Sequence, residues 1–201
     1  MSSTSSTQPA PAQPPTAPPA TTLREPLLTG PFLLAAAAHF LHALAFNLYL
    51  HLSSFLKTAG ASEDTIGLIF GITGAAAILT RPPLGRIMDQ RGRRVIIRAG
   101  GLLHACVCLL YGTVHVIGPW VVCVRIAHGI SEAMIFMSLF AFASDIVPAS
   151  RRFEGIALFG VSGMLPISIG SVLGDVILEH AGYRELFATS AVLALSAFLL
   201  S

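Results

Sequence analysis

Charge is scarce in this chain of 201 residues: Asp, Glu, Lys and Arg together make up 11% of it, against 54% hydrophobic residues. With a mean hydropathy of +0.75, a water-soluble domain of this length would not stay in solution, so a bilayer is the expected solvent. The net charge of +2 is too small to point to a nucleic-acid partner. Cysteine is sparse as well. Cys106, Cys108 and Cys123 all lie within apolar runs, as small buried or lipid-facing residues with no disulfide framework implied. No nucleotide-binding loop, zinc-protease motif or nucleophile elbow is present, so transport driven by nucleotide within this chain and membrane hydrolysis both lack their chemistry. The chain is read as non-enzymatic, with no cofactor and no metal. After Met1, residues up to 22 are Ser, Thr, Pro, Ala and Gln without one charge. That composition cannot bury enough apolar surface to fold. A disordered, cytoplasmic tail is expected over residues 1–30. It lacks the basic start and apolar centre of a signal peptide, so the first hydrophobic run is expected to remain in the mature protein.

What the chain has instead is long apolar runs. They fall at about 31–56, 65–86, 95–116, 119–144, 155–178 and 185–201, separated by short polar or Gly/Pro punctuation. Each is long enough for a helix and too long for a barrel strand of roughly ten residues. Lipid leaves the backbone no other way to satisfy its hydrogen bonds. The fold class is therefore all-α, a polytopic membrane protein with six transmembrane helices. Arg86, Arg91, Arg93, Arg94 and Arg98 follow the second run, with Arg81 just before them; Arg151 and Arg152 follow the fourth, and Arg24 precedes the first. The alternate connections hold only Lys57 and Arg184, beside Glu63, Asp64, Glu179 and Glu185. The arginine-rich side is expected to face the cytoplasm, with both chain ends inside. Tyr49, Tyr111, Trp120 and Tyr183 are then expected near the outer interface. The last run is only about 17 residues long, short of a comfortable span, and Ser201 is read as an interruption of helix six.

Between the second and third runs stands GRIMDQRGRR, Gly85 to Arg94. It resembles the signature of the major facilitator superfamily: a Gly, three residues, an Asp, then a basic residue, any residue, Gly and two basics. Gln90 stands where the first basic residue is usual. Physically, Gly85 permits close backbone approach at a helix end, Gly92 permits a tight turn, and Asp89 beside Arg93 and Arg94 can form a charge network. In the fourth run, RIAHGISEA, Arg125 to Ala133, is similar to the family's intramembrane Arg followed four residues later by Gly. DIVPASRR, Asp145 to Arg152, resembles the Asp, Pro and basic junction before the fifth. Gly163, Pro166, Gly170 and Gly174 resemble the glycine-rich antiporter pattern, although Ser171 and Asp175 depart from it. The resemblance covers residues 31–201 and implies the N-terminal six-helix half of such a transporter. Its fold would be 3+3 inverted repeats around a midplane site, completed by a missing C-terminal six-helix half. No convincing repeat is visible between residues 31–116 and 119–201. Helices one and four would line the cavity, two and five flank it, and three and six face lipid. The loop residues Gly85, Asp89, Arg91, Gly92, Arg93, Arg94 and Asp145 would control conformational switching.

Charges inside a bilayer are costly and face a bundle interior or a wet cavity. Arg125, His128, Gly129 and Glu132 are spaced to share one face of helix four. Arg125 and Glu132 would lie about 10 Å apart along the axis, so each needs another partner or water. The functional reading is a substrate and proton pathway; the alternative is a buried network linking helices. His39 and His42 share a face of helix one, with Asn47 at its edge. Cavity lining, protonation and interhelical hydrogen bonding all fit them better than metal, because no carboxylate or cysteine accompanies them in that span. His104 is read as structural, and Asp175 as either functional or interfacial. The expected function is secondary transport of a small organic solute, proton-coupled and directed to export, in a plasma or inner membrane. The alternatives are uptake of a nutrient, sugar or organic acid, and a non-transporting scaffold or receptor. The expected partners are the solute, protons, the bilayer and the missing half.

Overall fold

The computed structural model describes residues 25–201, so most of the expected tail lies outside the described residues. Within them, six helices are long and apolar enough to cross a membrane. They are span one (Gly30–Thr58), two (Glu63–Arg91), three (Arg93–Thr113), four (Pro119–Ile146), five (Ala149–His180) and six (Tyr183–Leu200). All six expected runs are there, and several extend further than hydropathy alone marks.

The extensions have local causes. Span two does not give way to a loop at Gly85. It runs helical to Arg91, because charged residues with good helix propensity carry the helix into the headgroup region. Gly92, at φ +82°, is the one residue between spans two and three. The expected signature loop is therefore a helix end, a single-glycine turn and a helix start. Thr29 caps span one by accepting the Phe32 N–H at 3.4 Å. Ser62 does the same for Thr65 in span two at 3.3 Å, where Glu63 and Asp64 complement the helix dipole. Span five starts at the basic junction, where Arg151 forks onto Glu154 at 2.7 and 3.0 Å.

The packed chain begins before residue 30. Leu27 is buried in an apolar cluster with Phe32, Ile97, Leu139 and Phe159. The Glu25 carbonyl accepts from Arg151 Nη1 at 2.7 Å. Span four lies along spans two and three, span one along five and six, and span three against six; spans one and four also touch. Spans two and five bury the smallest share of their residues, 17% each, and both carry proline within the helix, Pro82 and Pro83 in one and Pro166 in the other.

Small residues set the closest crossings. A Cβ on Gly129 would strike the Thr73 carbonyl oxygen of span two, and one on Gly100 would lie 2.8 Å from Met134 Cβ of span four. The glycine stripe of span five packs onto span one: Gly163 against His39, Gly170 against Asn47, and Gly174 against His51. Gly85 differs from expectation. A Cβ there would meet nothing within 4 Å, so no close backbone approach is made at this position.

Candidate functional site

Span one presents Phe46 and span four presents Glu132 to two neighbouring cavities. The first, about 210 Å³, lies between spans one, two and four and is lined by Tyr49, Phe70, Thr73, Arg125 and Glu132 among others. The second, about 450 Å³, lies between spans one, four and five and is lined by His39, Asn47, Phe136, Glu132 and Met164 among others. Glu132 and Phe46 belong to both, so Glu132 stands where they meet.

The side chains named from sequence separate once their helices are packed. Arg125 lines the first cavity, yet only 3% of it is exposed. Its Nη1 donates to Tyr111 Oη at 3.3 Å, and its guanidinium carbon sits 4.5 Å from the centre of the Phe70 ring. Tyr111 Oη also bonds His128 Nδ1 at 3.0 Å. His128 therefore turns away from the cavities into the bundle, one residue off the wall that Arg125, Gly129 and Glu132 form. No ion pair joins Arg125 to Glu132 among the described residues. Glu132 has no hydrogen-bond partner there either, and the charge within its electrostatic reach is Arg81 of span two.

His39 and His42 also diverge. His39 Nδ1 meets Ser162 Oγ at 2.9 Å, and its ring stacks on Phe159 with centroids 4.9 Å apart. His42 points to a different neighbour, stacked on His104 of span three at 5.3 Å. Their offset of three residues turns them roughly 60° apart on a helix, enough to send them to different neighbours. Asn47 lines the second cavity but spends its amide on the Ala43 carbonyl at 2.7 Å. Asp175 is at the rim, paired with His51 Nε2 at 2.9 Å and with its side chain 74% exposed.

At the arginine-rich end, Arg93 Nε lies 2.5 Å from Asp145 Oδ2, tying span three to span four. Asp89 is exposed and makes no ion pair among the described residues, so the expected charge network is carried by Asp145. The other end holds the Lys57–Glu63 pair at 2.7 Å and Trp120, whose indole donates to Thr113 Oγ1 at 2.9 Å.

Several residues escape the reading by sequence. Tyr49 and Tyr111, expected at the interface, are buried and face each other at 4.1 Å; Tyr111 is drawn inward by its bonds to Arg125 and His128. Arg81, expected just before the loop, sits within span two, and its charge is felt at Glu132. His104 is fully buried between His42 and His128, with ring centroids 5.3 and 5.1 Å away. The available signal was spacing: His104, Cys108 and Tyr111 are i, i+4 and i+7 on span three.

A cleft between spans one and four, flanked by two and five, with Arg125 and Glu132 on its wall, has room for a small solute. The model of the Major Facilitator Superfamily matches residues 32–201, and the chain belongs to that family of membrane transporters. It is 29% identical over 129 residues to the staphylopine export protein of Staphylococcus aureus, covering 64% of this chain and 32% of that protein. It is 27% identical over 173 residues to the multidrug resistance protein MdtL of Klebsiella pneumoniae, covering 85% and 44%. In fold it is similar to the crystal structure of a D-xylose-proton symporter, with a TM-score of 0.70 at 16% identity, over 84% of this chain and 46% of that one. The chain thus spans less than half the length of these proteins.

Proposed function

We propose that this chain forms the N-terminal six-helix half of a proton-coupled exporter of small organic solutes, working by alternating access with a second six-helix unit. The observation that carries this is Glu132, a carboxylate at the junction of two cavities with no hydrogen-bond or ion-pair partner among the described residues. An ionisable group kept in a span without a structural partner is retained at a cost, and a proton pathway explains the retention. Arg125, anchored by Tyr111 and Phe70, fixes a positive charge on the same wall. Arg81 approaches Glu132 from span two, so relative motion of spans two and four changes the field at the carboxylate. Solute binding that favours one arrangement then biases proton release. The exporters among the relatives support the outward direction.

The proposal includes an arginine-rich end in the cytoplasm, which the basic asymmetry of the connections supports, and a plasma or inner membrane. Single cysteines at positions 57 and 91, in a background lacking the native three, should label from opposite sides; labelling from one side overturns that orientation.

Everted vesicles containing the complete transporter test the function itself. With an acidic interior they should accumulate organic solutes, and a protonophore should collapse the gradient. Accumulation that ignores the protonophore contradicts proton coupling. Accumulation only in right-side-out vesicles favours uptake.

A further inference from the structure

The bundle holds a second polar cluster that the transport cleft does not use. His104 and Cys108 of span three and His128 of span four are all fully buried, and one potential ligand atom from each lies within 4.8 Å of the others. Their ring nitrogens are mostly unpartnered. Both nitrogens of His104, Nε2 of His128, and both nitrogens of nearby His42 have no hydrogen-bond partner. A buried polar atom without a partner costs on the order of 1–3 kcal/mol, and those on His104 and His128, beside the Cys108 thiol, invite a common explanation. A cation is one: imidazole nitrogens and a thiolate are donors that a metal satisfies at once.

We infer that His104, Cys108 and His128 form a binding site for a soft, monovalent transition-metal ion, Cu(I). Three features narrow the ion. The donor set is two imidazoles and one thiol, which selects soft or borderline metals over Mg²⁺ or Ca²⁺. The surroundings are apolar, since Cys108 and Tyr111 belong to a buried core with Ala45, Tyr49, Val107 and Val124. Charge decides the rest. Cu(I) with one thiolate is neutral and needs no compensating group, whereas Zn²⁺ with one thiolate leaves a positive charge beside Arg125, joined to His128 through Tyr111, that only the Glu132 charge felt at Cys108 could offset. An unpaired buried charge next to a like charge is strongly unfavourable.

The supporting contacts suit this role. Ser190 Oγ lies 3.5 Å from Cys108 Sγ and is itself held by the Ala45 carbonyl at 3.0 Å. His128 Nδ1 meets Tyr111 Oη at 3.0 Å. In the metal-binding tautomer that Nδ1–H donates to the tyrosine oxygen and leaves the Nε2 lone pair free for the ion, the outer-shell arrangement by which proteins orient ligating histidines. Metal bonds near 2.0–2.3 Å put ligand atoms about 3.5–4 Å apart, so small side-chain rotations close the site. Binding breaks the Cys108 S–H bond, forms the metal–sulfur bond and releases the proton to solvent, with no change in oxidation state. A cavity of about 240 Å³ between spans three and six has Cys108 in its lining, together with Gly112 and Arg184.

The test is titration of the purified protein in detergent with Cu(I) held by a chromogenic chelator, under reducing and anaerobic conditions. One ion per chain should be withdrawn from the chelator. Cys108→Ala and His104→Leu should each weaken binding by more than the roughly 10–100-fold typical of losing an outer-shell partner. Cys106→Ala and Cys123→Ala, which remove exposed thiols, should leave it unchanged. X-ray absorption of the copper-loaded protein should show one sulfur and two nitrogen neighbours, a readout that does not depend on any variant folding. Undiminished affinity in Cys108→Ala, dependence on Cys106 or Cys123, a shell without sulfur, or occupation by Zn²⁺ but not Cu(I) overturns the site.

Discussion

Two groups of polar side chains lie only a few residues apart on span four and have opposite fates. Glu132 faces the junction of two cavities without a protein partner. Arg125 and His128 close onto Tyr111, and His128 continues inward to His104. Glu132 opens onto the cavities; His128 is sealed inside the bundle, and Arg125 bridges the two, lining a cavity while it bonds inward to Tyr111. Helical spacing places all of them on one broad face, but the neighbours divide that face. Span two, held close by Gly129, leaves Glu132 in a cleft, while span three covers His128. Polarity inside a membrane therefore indicates that a residue is not lipid-facing, and the packed neighbour decides whether it serves a cavity or a structural network.

The division depends first on the close crossing of spans two and four. Gly129→Val puts side-chain atoms into the Thr73 backbone and should give the largest effect: destabilisation of about 1–3 kcal/mol or more, visible as loss of monodisperse protein or a lowered melting temperature in detergent. Gly160→Ala, where a Cβ meets nothing within 4 Å, is the control and should melt as the parent does. An unaffected Gly129→Val would mean that the crossing is not what separates wall from interior.

Next comes the hydroxyl that seals the interior. Tyr111→Phe keeps the ring and removes the oxygen shared by Arg125 and His128. Leaving those groups unpaired should cost about 1–3 kcal/mol of stability. Glu132→Gln, at a carboxylate with no hydrogen-bond partner, should change the melting temperature far less. Equal losses in the two variants would erase the distinction between sealed and open groups.

The smallest structural effect is expected at the arginine-rich rim. Asp89 is exposed and unpaired in this conformation, so Asp89→Asn should leave stability and solute affinity nearly intact. It should slow turnover if Asp89 gains its partner in the other conformation. Unchanged turnover with much weaker binding would contradict a switching role.

Much of the fold was legible because hydrophobic run length is a strong signal in lipid: six runs became six spans. Their ends were less so. Residues 85–91 are charged enough to read as a loop, yet charged side chains at the headgroup level do not break a helix; Gly92 does. The glycine stripe of span five announced close packing, and its partner proved to be span one. The site was half legible. Arg125, Glu132, His39 and Asn47 reach the cavities, while His42 and His128 do not, since one helical face can meet two different neighbours. Tyr111, Arg81 and the His104–Cys108–His128 cluster were missed because each depends on a contact between helices that spacing within one helix does not reveal.

Glu132 is the proton-carrying group in the proposed mechanism, and its removal is the most direct test. In proteoliposomes containing the complete transporter, Glu132→Gln should abolish accumulation driven by a pH gradient while preserving solute exchange at equal pH on both sides. Full pH-driven accumulation by Glu132→Gln would remove Glu132 from the mechanism and leave the wall charges as a structural network.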